Sequence, residues 1–359
     1  MSSTPVRIGL VGYGFGGRTF HAPLITSTPS LSLVGVVTSS PDRKAALATD
    51  RAGIPAVATI EQLVDLGAEA VTISSATGSH TELADQAIDL GLHVVVDKPL
   101  AVDAARAHAT TGRAVAAARV LTVFQNRRWD SDFLTVRRLL DQGALGDVHR
   151  YESRVERWSP VADPSTWKAG ATPRLGGGLR LDLLTHLVDQ AVQLFGEVDT
   201  VYAELDARRE GSASDDDSMI ALHHSNGVRS HLVASKVTGD TSRRIRVLGS
   251  NGAYVVGGFD GQEAALLAGR TPASEGDQWG IEDPATWGAI HRGASTEPVP
   301  TERGRWDTFY PAFAAAVRGE GPVPVDPSDA IGVLELLDAA LISARESRVV
   351  DVRPGRPRE

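Results

Sequence analysis

Val6-Arg7-Ile8-Gly9-Leu10-Val11-Gly12-Tyr13-Gly14-Phe15-Gly16-Gly17-Arg18 is the stretch that decides the fold. The apolar run Val6, Ile8, Leu10 and Val11 reads as a short strand that stops abruptly in glycine. Gly12, Gly14 and Gly17 stand in GxGxxG spacing, and residues 19–27 read as a helix. Strand, glycine turn and helix in that order predict a dinucleotide-binding turn. Gly12 permits the tight turn, Gly14 lets the backbone approach a pyrophosphate, and Gly17 lets the helix pack close to the strand. The pyrophosphate is expected to rest on the free N–H groups and positive dipole end of that helix. Tyr13, Phe15 and Gly16 complete the turn and are grouped with the cofactor site.

The next strand, over 31–37, ends in Thr38-Ser39-Ser40-Pro41-Asp42-Arg43-Lys44. An NAD site places a carboxylate about 20 residues past the glycines, on the adenosine ribose. Thr38, Ser39 and Ser40 stand there instead, with Arg43 and Lys44 just beyond. Hydroxyls and cations suit a 2′-phosphate, so NADP is the expected cofactor, with NAD as the lesser possibility. Asp42 is assigned to the first turn of a helix that follows Pro41.

Strands and helices then alternate: helix 61–66, strand 70–75, helix 80–90, strand 93–97, helix 103–118 and strand 120–124. That alternation predicts a doubly wound parallel sheet, whose ligands bind at the carboxyl ends of the strands. Three stretches fall there: Ala76-Thr77-Gly78-Ser79-His80, Asp97-Lys98-Pro99 and Gln125-Asn126-Arg127-Arg128, and Ser75, which ends the strand before the first, is grouped with the cofactor site. Lys98 stands just past Val94-Val95-Val96, after Asp97, which would aim its ammonium into the cofactor cleft. A surface lysine before a turn proline would look the same.

Past Phe124 the pattern changes. Residues 132–142 read as a connecting helix, and 148–158 alternate as a half-exposed strand. Residues 198–206 add another strand. Asn226-Gly227 and Asn251-Gly252 lie between alternating runs and predict hairpins. The expected architecture is an N-terminal Rossmann domain, residues 1–125, followed by residues 126–359 built on a large open, mostly antiparallel sheet. Asp215-Asp216-Asp217 reads as a solvated turn and not a metal site, and no metal is expected. Residues 261–303, rich in Gly, Pro and Trp, read as one long unassigned segment. Helices are expected over 308–318 and 328–345.

One helix carries chemistry. It is expected over 179–195, after Gly176-Gly177-Gly178, and sets Asp182 and His186 four residues apart on one face. An imidazole titrates near neutrality and suits proton transfer with a hydroxyl, and a carboxylate one turn away would orient it. An ordinary Asp–His helix pair would show the same pattern.

The bulk numbers narrow the partners. At 359 residues two domains are the expectation. A composition 42% hydrophobic and 23% charged is that of a globular chain, and the net charge of −9 argues against nucleic acid or anionic membranes. No cysteine is present, which excludes thiol catalysis and disulfides. With no signal pattern and no long apolar run, the cytoplasm is the expected compartment and no membrane partner is expected.

Taken together, these elements resemble the glucose–fructose oxidoreductase / inositol dehydrogenase / rhizopine-catabolism (Gfo/Idh/MocA) family of NAD(P)-dependent oxidoreductases, along nearly the whole chain. Family members carry Glu-Lys-Pro where this chain has Asp97-Lys98-Pro99, and a Gly-Gly…Asp-x-x-x-His helix where it has Gly176-Gly177…Asp182…His186. The strings Gly12-Tyr13-Gly14-Phe15-Gly16-Gly17-Arg18-Thr19-Phe20-His21-Ala22-Pro23, Phe124-Gln125-Asn126-Arg127-Arg128-Trp129-Asp130, His186-Leu187-Val188-Asp189-Gln190-Ala191 and Asp260-Gly261-Gln262-Glu263 resemble the NADP-dependent scyllo-inositol dehydrogenase branch. The resemblance implies that Lys98 and His186 are the catalytic pair and that Asp182 completes the constellation. His186 would take the hydroxyl proton as hydride leaves the carbinol carbon, while Lys98 stabilises the developing alkoxide. It further implies that Thr77, His80, Asn126 and Trp167 surround the nicotinamide or the substrate, and it groups Arg127 and Arg157 with the substrate. The implied substrate is an inositol or sugar-like polyol, and the implied assembly a homodimer or homotetramer. A ketosugar or anhydrosugar reductase, and a non-catalytic NADP sensor, are the alternatives. The chain departs from the family in having Asp97 for Glu, Ala76-Thr77 for Pro-Asn, and Leu184 for a glycine, which is expected to narrow the pocket.

Overall fold

The computed structural model describes residues 4–163, 170–241 and 244–353, and these form two compact units. The first holds the chain through Asn126 together with Gly261–Gly280 and Arg305–Ile331; the second holds Arg127–Asp260, Ile281–Gly304 and the chain from Gly332.

In the first unit six parallel strands follow one another as β1 (Val6–Val11), β2 (Leu31–Val37), β3 (Ala56–Val57), β4 (Ala70–Ile73), β5 (His93–Asp97) and β6 (Leu121–Phe124). Their order across the sheet is β3-β2-β1-β4-β5-β6, the dinucleotide-binding order that reverses direction beside β1. The central strands are apolar throughout because helices cover both faces: Ile8, Leu10, Val71, Ile73, Val94, Val95, Val96 and Val123 are all buried. The expected helix after the glycine turn is two pieces, a π-helical turn Gly17–His21 running into an α-helix Ala22–Thr26. The helix after β2 spans Pro41–Asp50, with Ser40 as its cap and Asp42 in its first turn.

The second unit is built on nine strands: β7 (Val148–Glu156), β8 (Val198–Asp206), β9 (Asp217–His224), β10 (Arg229–Ser235), β11 (Ile245–Gly249), β12 (Gly252–Val256), β13 (Ala289–Arg292), β14 (Ser295–Pro298) and β15 (Val350–Asp351). Their order is β14-β13-β12-β11-β7-β10-β9-β8-β15. Only β7 and β10 pair in parallel; every other neighbouring pair is antiparallel. Both Asn-Gly pairs make the hairpins expected of them, β9–β10 and β11–β12, with Gly227 and Gly252 at positive φ. β9 alternates strictly between buried and half-buried residues, so one face of the sheet is covered. The helix Leu184–Phe195 packs on β10 and β7 from that side.

Residues 261–303 are not one structureless loop. They contain the helices Gln262–Leu267 and Pro272–Glu275 and the hairpin β13–β14. No helix among the described residues is long and apolar enough to cross a membrane.

Candidate functional site

In the first unit the glycine turn is a bare-backbone cradle. Gly12 takes φ +96°, and a Cβ there would strike the Ser74 carbonyl. A Cβ on Gly17 would strike the Gly12 carbonyl, so only glycine lets strand and helix close. Among the described residues no side chain accepts from the backbone N–H groups of Gly14 to Gly17. These N–H groups at a helix start fit a pyrophosphate. The turn is tied down by Asp50, which accepts from the Tyr13 hydroxyl at 3.2 Å and from Arg18 Nε at 2.6 Å. Tyr13 is therefore an anchor of the turn, buried with its phenol pKa raised to about 12, first by burial and then by the Asp50 charge. Phe15 is 61% exposed at the rim.

Arg43 stands over this turn. Its Nη2 lies 3.6 Å from where a Cβ on Gly14 would be. Ser39 is exposed, Thr38 is buried, and the Ser40 hydroxyl accepts from Arg43 N at 3.4 Å as the helix cap. The sequence thus brings a guanidinium, a hydroxyl and the glycine backbone together with no carboxylate in the Thr38–Ser40 stretch.

At the end of β5 the Asp97 carboxylate is turned into the protein. Oδ1 accepts from Lys98 N at 2.8 Å, and Oδ2 accepts from Ser74 Oγ at 3.1 Å. A Cβ on Gly16 would come within 2.9 Å of Oδ2, so the carboxylate lies directly beneath the glycine turn. Burial raises the Asp97 pKa, but His21, then Lys98 and His80, overcome it and hold the carboxyl at about 2. The Lys98–Pro99 bond is cis. Behind it His80 is buried between two carbonyls, with Nδ1 2.8 Å from Pro99 O and Nε2 3.2 Å from Ser75 O. Burial is the largest influence on its pKa and lowers it, against the raising pull of Asp97 and of the two carbonyls. His80 therefore braces the two strand-end turns. Ser75 Oγ meets Ser79 Oγ at 2.8 Å, and Ser79 Oγ donates to Ala76 O, closing the turn Thr77–Ser79.

In the second unit Asp182 and His186 are not on one unbroken helix. Asp182 ends a short helix, Leu179–Asp182, and His186 lies in the first turn of Leu184–Phe195; Leu183 between them takes φ −117°. His186 is buried. The approach to Asp182 is set by Gly176 and Gly178, both at positive φ, and a Cβ on Gly178 would strike the Asp215 carboxylate. Asp215 Oδ2 accepts from Arg180 N at 2.7 Å and from Ser218 Oγ at 2.8 Å. Asp216 accepts from Arg208 N at 2.7 Å and from Arg209 Nε at 3.0 Å. The expectation of a solvated turn at Asp215 to Asp217 is corrected: Asp215 and Asp216 are anchors, and Asp215 holds the start of the helix that carries Asp182. A helix beginning in three glycines has no capping side chain of its own, and that was the signal for a remote carboxylate.

Three residues past His186, Asp189 takes a bidentate ion pair from Arg128, at 2.8 and 2.5 Å, with both partners buried. Gln190 Nε2 donates to Arg127 O at 2.8 Å, and Arg127 Nη1 donates to Asp130 at 2.9 Å. The Asn126–Trp129 turn, in which Asn126 itself is buried, leads from β6 into this clamp. Arg157 is exposed just past β7, held by its backbone to Ser235 and Thr238. Leu184 is fully buried. Trp167 lies outside the described residues.

Residues 6–125 match a family described as an oxidoreductase family with an NAD-binding Rossmann fold, and residues 133–255 match the GFO/IDH/MocA C-terminal domain. The chain is 36% identical to an uncharacterized oxidoreductase of Escherichia coli, YdgJ, over 96% of this chain and 97% of that one. It is 30% identical to the Bacillus subtilis scyllo-inositol 2-dehydrogenase (NADP(+)) IolW, over 96% and 95%. A solved structure of the Bacillus subtilis oxidoreductase yvaA superposes with a TM-score of 0.90 at 28% identity, covering 98% of this chain and all of that one.

Proposed function

The chain belongs to the Gfo/Idh/MocA family of oxidoreductases, and on that footing we propose that it moves hydride between NADP(H) and a secondary hydroxyl of an inositol or sugar-like polyol. The observation that carries this reading is the Arg43 guanidinium beside Gly14, in a stretch that offers hydroxyls and no carboxylate to an adenosine ribose. The named substrate and cofactor of IolW support the same choice. NADP, when bound, supplies the two-electron acceptor. The Gly12–Gly17 backbone would hold its pyrophosphate, and Arg43 with Ser39 its 2′-phosphate.

The chain's own residues handle the proton and the charge. His186 takes the hydroxyl proton, and Asp182 orients the imidazole and favours its protonated form. Lys98 donates to the same oxygen and stabilises the negative charge that builds there. In the reductive direction the roles reverse, with His186 as the acid. Arg127 and Arg157 belong to the polyol side of the site, and the protein works as a homodimer or homotetramer.

The test is turnover followed by nicotinamide absorbance, with NADP⁺ and then NAD⁺, over a panel of inositols and aldoses. Oxidation of scyllo- or myo-inositol, faster with NADP⁺, is the expected result. Absence of turnover on every polyol with both cofactors would overturn the polyol reading.

A further inference from the structure

His21 has no part in the reading above, yet it is fully buried and sits against the Asp97 carboxylate. A chain of polar groups runs to it through the first unit. Thr72 Oγ1 is 3.1 Å from the Tyr310 hydroxyl, and that hydroxyl is 2.7 Å from His21 Nδ1. His21 Nε2 then lies 3.4 Å from Asp97 Oδ2, within ion-pair reach but longer than an ordinary hydrogen bond, and among the described residues no hydrogen-bond partner meets this nitrogen. The other Asp97 oxygen holds Lys98 N. The imidazole is fixed in place by Phe124, with ring centroids 4.5 Å apart, and Phe124 in turn meets Phe309 edge-on at 4.8 Å.

The hydrogens of this chain can be placed in two satisfied ways. Tyr310 keeps its proton, because burial pushes its phenol pKa far up. In the first, His21 is neutral with its proton on Nε2, Tyr310 donates to Nδ1, and Thr72 donates to Tyr310. In the second, both ring nitrogens are protonated, Nδ1 donates to Tyr310, and Tyr310 donates to Thr72. Either way Nε2–H faces Asp97. A proton on Nδ1 alone would set a lone pair against the carboxylate.

We propose that His21 is a positioning residue for Lys98. Its Nε2–H faces Asp97 and draws the carboxylate so that Oδ1 stays on the Lys98 backbone, and the Asp97 charge in turn favours a proton on Nε2. Ser74 alone cannot fix the carboxylate, since one hydroxyl on Oδ2 leaves it free to swing away from Lys98 N. The inference rests on the reading of Lys98 as the group that polarises the substrate oxygen.

The test pairs His21→Leu with His21→Gln, whose side-chain amide can still donate toward Asp97. In His21→Leu, kcat should fall about 10- to 100-fold with the KM for NADP moved less than about threefold. His21→Gln should return to within about threefold of wild type. Equal losses in both variants, or a loss carried by the KM for NADP, would overturn the proposal. A second readout does not depend on turnover. In ¹⁵N-imidazole spectra of the wild-type protein, with His21 assigned among the ten histidines by the Gln variant, Nε2 should be the protonated nitrogen. A proton on Nδ1 alone would overturn the proposal. A wild type inactive on every polyol would count against the functional reading only, and the tautomer would still decide the link from His21 to Asp97.

Discussion

Two helix starts in this molecule are led by glycines, and they are used in opposite ways. At Gly12–Gly17 in the first unit no side chain among the described residues takes the backbone N–H groups, and a guanidinium stands alongside. At Gly176 to Gly178 in the second unit the protein supplies its own anion: Asp215 accepts from Arg180 N, and its backbone carbonyl accepts from Leu179 N. The same local chemistry, a helix N-terminus without a side-chain cap, is left for a ligand in one unit and closed by a carboxylate in the other. A run of glycines before a helix therefore shows that something negative belongs there, and only the rest of the fold says whose charge it is. Substitutions around the first turn should cost function, and those around the second should cost stability.

The largest effect expected is at Lys98. Lys98→Ala should lower kcat by about 10²–10⁴-fold while NADP binding and the unfolding midpoint stay near wild type. Unchanged turnover would remove Lys98 from the chemistry. Asp215→Ala should show the reverse pattern, with about 2 kcal/mol lost in urea unfolding because two donors lose their buried acceptor. Asp215→Asn keeps one acceptor oxygen and should lose less; equal losses would mean that the cap is not what Asp215 contributes.

Asp97 sharpens the contrast through pH. Its folded pKa of about 2 lies below the ordinary 3.8, so the ionised carboxylate stabilises the fold above that value. The contribution, on the order of 2 kcal/mol, is lost as the pH falls through about 4 toward 2. Acid unfolding of Asp97→Asn should accordingly be flatter than wild type across that window, and superimposable curves would place the carboxylate's stabilising contacts elsewhere. The smallest effect belongs to the adenosine end. Changing Arg43 and Lys44 together to alanine should raise the KM for NADP about tenfold, move that for NAD less than about twofold, and leave stability unchanged. Equal losses for both cofactors would separate these cations from the 2′-phosphate.

Much of the frame could be read in advance because it is written locally. The strand–glycine–helix start, the alternation that orders β1 to β6 and the two Asn-Gly hairpins each depend on residues a few positions apart. What escaped depends on distant partners. Asp215 looked like part of a solvated turn because Arg180 N, the donor it serves, lies 35 residues upstream. Tyr310 gave no hint of its tie to His21, 289 residues away. The break at Leu183 was hidden because leucine favours an unbroken helix, and tertiary packing overrides that preference. Residues 261–303 stayed unassigned because their helices and strands run only four to six residues, too short for a period to declare itself.

The chain leaves the first unit after Asn126 and returns to it twice, at Gly261–Gly280 and Arg305–Ile331. Gene-level modularity and physical modularity therefore diverge. A fragment cut at residue 126 would carry every glycine of the cofactor turn but neither Phe309 nor Tyr310, and would leave Phe124 and His21 without the rings that cover them. Grafting this nucleotide-binding half onto another catalytic half would require three segments to be moved together, and recombination within the family should tolerate crossovers near residue 126 poorly unless both returning segments come from the same parent.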